Sequence, residues 1–212
     1  MFFYRLSWLL VWLPLRILTP LRTIGKKNLP KGKAILACNH QSNWDPVLIF
    51  SYRWDRPYVL AKHTLFKNKL AGKIMRSYGG IPVNREEVSI STIKEVIKAL
   101  NSEKHLLIFP QGTRMNEMDG ESVKNGLAMF ALKTKSPIVP MWYVRKPGIF
   151  RFNKLLIGEP FELTEFYGQK PTKEVLDKAS DVVIRKMFEL RDNYEAERNK
   201  KKTKKLKVVV DK

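Results

Sequence analysis

The segment NHQSNWDP, Asn39 to Pro46, holds a histidine and an aspartate five residues apart, directly after the apolar run AILAC. A neutral imidazole near pH 7 can take a proton from an alcohol, and a carboxylate on its other ring nitrogen fixes the tautomer and stabilises the imidazolium that forms. His40 as general base and Asp45 as its orienting acid are therefore the first candidates for chemistry. Five residues along an ideal helix point about 140° apart, so the pair does not suit mid-helix. A turn entering a helix brings them together. Asp45-Pro46 fits such a turn, because Asp favours the cap and Pro the first helical position. Taken alone, the two residues are as readily explained as an N-cap and a hydrogen-bonded loop histidine.

No G-x-S-x-G occurs in the chain, so no serine nucleophile accompanies the pair. The single cysteine, Cys38, rules out an internal disulfide and lies inside the apolar run two residues before His40, where inert packing is expected. If His40 is a base, the attacking hydroxyl belongs to the substrate. The three histidines, His40, His63 and His105, show no ligand spacing with one another or with Cys38, and no metal is expected.

Two further clusters suit a phosphate. GGIPVNR, Gly79 to Arg85, joins two glycines to Ile-Pro-Val and an arginine, and PQGTR, Pro110 to Arg114, sets Gly112 between Gln111 and Thr113 with Arg114 following. Arg85 and Arg114 each offer a forked pair of donors, and Thr113 adds a hydroxyl. Seen singly, each cluster is equally an ordinary glycine turn with a solvated arginine.

Short apolar runs alternating with helical spacing must position these residues. Ala34–Cys38, Leu106–Pro110, Ile138–Tyr143 and Leu155–Gly158 read as strands. Ile93, Val96, Ile97 and Leu100 keep helical spacing behind a cap at Ser89 or Ser91. Val123, Leu127, Phe130 and Ala131 form a second stripe, and Val175 to Leu190 a long final helix capped by Thr172. This predicts a single α/β domain with a largely parallel or mixed sheet flanked by helices. In open α/β sheets functional residues gather where loops leave the carboxyl ends of strands, and all three polar clusters occupy such places.

The 212 residues carry a formal charge of +20, which calls for an anionic partner. The last fifteen residues hold eight basic residues and one Asp, a balance of +7, so the body is basic in its own right. At the amino terminus, MFFYRLSWLLVWLPLRILTPLR is rich in Leu, Trp and Phe but divided by Arg5, Pro14, Arg16, Pro20 and Arg22. Its uninterrupted apolar run is shorter than the ~20 residues a spanning helix needs. Trp8 and Trp12 share a helical face, where tryptophan suits the lipid–water boundary. Residues 1–24 thus read as a membrane-interfacial helical anchor, 25–197 as the domain, and 198–212 as a Lys-rich tail, either a solvated, disordered end or, beside such an anchor, an element attracted to anionic lipid. Aromatics gather in the anchor rather than interleave with a basic stripe, so nucleic acid is not the expected partner.

Taken together and in order, the clusters resemble the glycerolipid acyltransferases, specifically the 1-acyl-sn-glycerol-3-phosphate (lysophosphatidic acid) acyltransferases. NHQSNWD is similar to the N-H-x4-D block, GGIPVNR to the second, FPQGTR to F-P-E-G-T-R and IVPM to the fourth, with SVKNG similar to an intervening F-K-x-G segment. The resemblance implies that His40, oriented by Asp45, deprotonates the free hydroxyl of lysophosphatidic acid, which attacks an acyl thioester of CoA or acyl carrier protein to give phosphatidic acid without cofactor or metal. Arg85 and Arg114 would hold the acceptor phosphate, Gly112 and Thr113 would shape the turn around it, and Lys124 would make a charge contact. Gln111 departs from the family's glutamate, keeping length and an acceptor but losing charge, which bears on acceptor identity: another lysophospholipid or glycerol phosphate acceptor is the alternative. A non-enzymatic basic membrane- or nucleic-acid-binding protein is the remote alternative. The implied location is the cytoplasmic face of the cell membrane, peripheral or monotopic.

Overall fold

A computed structural model describes residues 6, 10, 11, 13–53, 55–84, 88–110 and 121–210, with side chains for all of these but 13, 121–124 and 204–210. Its strands are β1 (Leu21–Ile24), β2 (Ala34–Cys38), β3 (Tyr58–Lys62), β4 (Gly80–Val83), β5 (His105–Ile108), β6 (Ile138–Tyr143) and β7 (Asn153–Ile157). Its α-helices, among the described residues, are α1 (Leu13–Leu18), α2 (Trp44–Ser51), α3 (Lys69–Ser77), α4 (Ile90–Asn101), α5 (Glu121–Thr134) and α6 (Lys173–Val210).

The strands form one sheet in the order β1-β7-β6-β2-β5-β3-β4. From β6 to β4 every pairing is parallel, whereas β7 runs antiparallel to β6 and β1 runs parallel to β7. The sheet is therefore mixed, with two reversed strands at one edge. All five residues of β2 are buried, and they alternate between two cores. Ile35 and Ala37 join Val96, Leu127, Phe130 and Val183 of α4, α5 and α6 on one face. Ala34, Leu36 and Cys38 join Leu48, Ile49 and Phe50 of α2 on the other. A strand covered on both faces needs apolar side chains at every position, which is why AILAC shows no alternation.

Capping follows the sequence closely. The Ser89 hydroxyl accepts from Thr92 N at 3.2 Å and starts α4, and the Thr172 hydroxyl accepts from Val175 N at 3.4 Å at the start of α6. Three features differ from the sequence reading. LRTI, within the predicted anchor 1–24, is the edge strand β1, its registers running from Leu21 opposite Asn153 to Ile24 opposite Leu156. Four residues with an arginine and a threonine among them carry too little periodicity to announce a strand. The expected N-cap at Asp45 falls instead on Asn43, so Asp45 lies inside the first turn of α2. Finally, α6 passes residue 198 without a break and runs to Val210. No helix among the described residues is long and apolar enough to cross a membrane.

Candidate active site

β2 ends at Cys38 between the ends of β5 and β6, with Ala37 opposite Ile108 and Cys38 opposite Met141. The chain then turns through 39–43 into α2, and this turn brings the predicted pair together. His40 Nδ1 lies 2.7 Å from Asp45 Oδ2. The same carboxylate oxygen accepts from the backbone N–H groups of Gln41 at 2.6 Å and Ser42 at 2.7 Å. Three donors converging on one oxygen fix the carboxylate, and its place in the first turn of a helix adds the favourable end of the helix dipole. Because a carboxylate accepts, the ring donates from Nδ1 and Nε2 is left as the basic nitrogen.

Burial divides the labour. The Asp45 side chain is 0% exposed, whereas His40 keeps 13% of its surface open. The second carboxylate oxygen, Oδ1, is buried and meets no hydrogen-bond donor among the described residues. A buried oxygen without a donor is costly, and it concentrates the acid's interactions on the oxygen that holds the imidazole. Phe109, the first residue after β5, stacks on the His40 ring at a centroid distance of 4.4 Å and an interplanar angle of 29°. The ring is thus held by a carboxylate on its Nδ1 and an aromatic plane on its face.

Three residues that the sequence did not single out hold this arrangement. The Asn39 carboxamide clamps the end of β6, accepting from Tyr143 N at 2.7 Å and donating to Tyr143 O at 3.2 Å. Gln41 Nε2 donates to the same carbonyl at 3.2 Å. The Tyr143 hydroxyl donates to the backbone carbonyl of Asp45 at 2.9 Å. Burial, with the neighbouring Cys38 and Asp45 adding to it, pushes the Tyr143 phenol well above its ordinary range, so it stays a neutral donor. Cys38 is fully buried, and burial followed by the nearby Asp45 raises its thiol well above the usual value. It remains a protonated packing residue. The Asn39–Tyr143 contact spans 104 residues, a separation that no local pattern reports.

Arg85, Gln111, Gly112, Thr113 and Arg114 fall outside the described residues. Lys124 falls in the first turn of α5, its side chain outside the described set. The chain enters the segment holding Arg85 from Asn84, just past β4, and enters that holding Gln111–Arg114 from Pro110, just past β5. Because β2, β5, β3 and β4 run parallel, both segments leave the sheet at the end where His40 stands.

The pair thus stands at the carboxyl end of the parallel part of a mixed sheet, a place and a geometry that suit proton abstraction from a substrate hydroxyl. Residues 20–144 match the family described as Acyltransferase, and the chain belongs to that family. It is 32% identical over 183 residues to a 1-acyl-sn-glycerol-3-phosphate acyltransferase of Bacillus subtilis, covering 82% of this chain and 89% of that one. A protein of the same name from Borreliella burgdorferi is 36% identical over 121 residues, covering 55% of this chain and 48% of its own length. The crystal structure of the 1-acyl-sn-glycerophosphate (LPA) acyltransferase from Thermotoga maritima shares the fold, with a TM-score of 0.63 over 89% of this chain and 78% of that one at 24% identity.

Proposed function

We propose that this protein transfers an acyl group from a thioester, of CoA or of acyl carrier protein, to the free hydroxyl of lysophosphatidic acid, giving phosphatidic acid. The observation that carries the reading is the 2.7 Å contact between His40 Nδ1 and a buried Asp45 carboxylate, within a member of the acyltransferase family. His40 Nε2 takes the hydroxyl proton as the acceptor oxygen attacks the thioester carbonyl. Asp45 stabilises the imidazolium through Nδ1. The tetrahedral intermediate collapses by breaking the carbon–sulfur bond, and the imidazolium returns its proton to the departing thiolate, so the histidine ends as it began. Neither an acyl-enzyme nor a redox step is required.

Arg85 and Arg114 are assigned to the acceptor phosphate, with Gly112 and Thr113 in the turn around it, Gln111 accepting a hydrogen bond from Arg114 or a glycerol hydroxyl, and Lys124 at a charge contact. Their support is sequence resemblance together with the strand ends from which their segments depart. An acceptor and a product that are both lipids fit an enzyme bound at the cytoplasmic face of the cell membrane by an amphipathic segment upstream of β1. In support, Ile17 of α1 is 78% exposed and Leu18 40% exposed.

The test is direct. Purified protein supplied with labelled acyl-CoA and a panel of lysolipids should form phosphatidic acid faster than any other product. Faster acylation of a lysolipid with a larger headgroup would move the acceptor assignment, and release of free fatty acid without transfer would overturn the reaction type.

A further inference from the structure

The connection from β6 to β7 displays two phenylalanines to solvent in a way that packing does not explain. Phe150 is 82% exposed and Phe152 77% exposed, with Ile149 beside them at 43%. The loop is nevertheless firmly built. The buried Asn153 side chain accepts from Gly148 N at 2.9 Å and donates to the carbonyls of Gly148 at 3.0 Å and Arg151 at 3.2 Å. Phe150 itself holds a left-handed backbone with φ 56°, a conformation that favours glycine or asparagine at an ordinary solvent-facing tip. An aromatic kept there and aimed at water is a feature to be explained.

Its surroundings point to one occupant. Phe150 N donates to Leu18 O at 2.7 Å, and Asn153 N donates to Pro20 O at 2.8 Å. The phenylalanines are therefore continuous with the exposed Ile17 and Leu18 of α1. Arg145, Lys146 and Arg151 stand exposed around the same tip. α6 adds to this charge. A side chain at Gly158 would meet Leu190, and Lys154 Nζ donates to the Tyr194 hydroxyl at 2.7 Å, so the helix runs antiparallel to β7 toward this loop. From Tyr194 to Val210 it extends about 24 Å farther at 1.5 Å per residue, carrying the exposed lysines 200–202. Apolar side chains ringed by cations match the boundary of an anionic bilayer, where aromatics enter the acyl margin and cations meet headgroups.

We infer that the β6–β7 loop is a second membrane-docking element, with Phe150 and Phe152 inserting into an anionic lipid surface beside the segment upstream of β1. This rests on the membrane-bound reading given above and extends it to a part of the chain outside the amino terminus. β7 begins where β6 ends, so the loop sits at the same end of the sheet as His40. A bilayer engaged by it faces the catalytic pair, and a lysolipid reaches the imidazole from the layer in which it is dissolved.

The experiment uses the full chain with vesicles of phosphatidylcholine, alone or with about a quarter phosphatidylglycerol to supply anionic headgroups. Wild type should sediment with the anionic vesicles in preference to the neutral ones. The Phe150→Ser/Phe152→Ser variant should bind them about ten-fold or more weakly, since two apolar side chains no longer leave water. Its unfolding temperature should not change, because both positions are exposed, and its turnover on a short-chain, water-soluble acceptor should match wild type. A Phe152→Cys variant carries one reactive thiol, Cys38 being buried. An environment-sensitive fluorophore attached there should shift to shorter wavelength on anionic vesicles. Wild type that fails to sediment would overturn both this inference and the membrane-bound reading. Wild type that sediments, with a double variant that binds equally well and a fluorophore that stays in water, overturns the loop alone. A lipid-free dimer abolished by the double variant would assign the phenylalanines to a second copy of the chain and overturn it as well.

Discussion

At the carboxyl end of β2 the acid of the histidine–carboxylate pair is the buried member, Asp45 at 0% exposure, and His40 is the open one at 13%. At the amino end of β5 the order is inverted. His105 is 5% exposed and Asp55 64%, with Asp55 Oδ2 3.4 Å from His105 Nδ1. There the ring is enclosed on both sides: Nε2 lies 3.0 Å from the Pro30 carbonyl, and Nδ1 lies 2.5 Å from Arg53 Nη2. Arg53 also bridges to Asp55. An enclosed histidine bound to the Pro30 carbonyl and to Arg53 ties loops together, whereas His40 is steadied on Nδ1 by a fixed, fully buried acid and keeps part of its ring open. Proximity of the two residue types is thus not the signal. What distinguishes the pairs is which partner is buried.

The contrast can be broken most forcefully at position 40. His40→Ala should reduce phosphatidic acid formation by about a thousand-fold or more, because the base is lost and Asp45 is left with no imidazole to orient. A variant still turning over within a few-fold of wild type would make the two histidines equivalent and dissolve the distinction. Asp45→Asn comes next, with an expected loss in kcat of roughly a hundred-fold or more from the misdirected tautomer. It should also cost about 1–3 kcal/mol of stability in urea unfolding, as backbone donors at Gln41 and Ser42 lose their anionic acceptor. His105→Ala should show the reverse pattern, about 1–3 kcal/mol of stability lost through the unpaired Pro30 carbonyl, with kcat per folded molecule little changed.

The smallest effect is a pH dependence at Asp55. Partial burial raises its carboxyl, but the His105 and Arg53 contacts outweigh that and hold it down at about 2. A folded-state value below the unfolded one, near 4 for an aspartate, stabilises the fold above pH 4 and ceases to do so as pH falls through about 2. Because the side chain is largely exposed, the contribution should stay below about 1 kcal/mol. The stability difference between wild type and Asp55→Asn should accordingly be flat from neutral pH to about 5, then close toward pH 2. A difference that grows with acidity would reverse the sign assigned here.

The sequence disclosed what is local and strongly patterned. AILAC announced a buried strand, and Ser89 (with Ser91 as the alternative) and Thr172 announced helix starts, because each signal lies within one turn or one strand of its effect. The His40–Asp45 pair was legible for the same reason, five residues being the length of a single turn. The cap at Asn43 was not, since Asn and Asp cap equally well and the proline after Asp45 favoured the later start. LRTI was missed because an edge strand of four residues carries no period. The Asn39–Tyr143 clamp was missed because its two ends meet only once β2 and β6 have paired. The basic end of the chain was read by composition, which reports charge but not that the residues continue a helix.

One consequence of the reversed pair β7 and β1 concerns sidedness. Had Leu21–Ile24 run the other way along the sheet edge, the chain upstream of it would depart at the opposite end of the sheet, the end at which His105 begins β5. Instead, the direction of two short edge strands delivers that upstream segment to the end of the sheet where His40 stands. Strand polarity here acts as an address: it decides which pole of the molecule meets its surroundings before any loop residue is chosen.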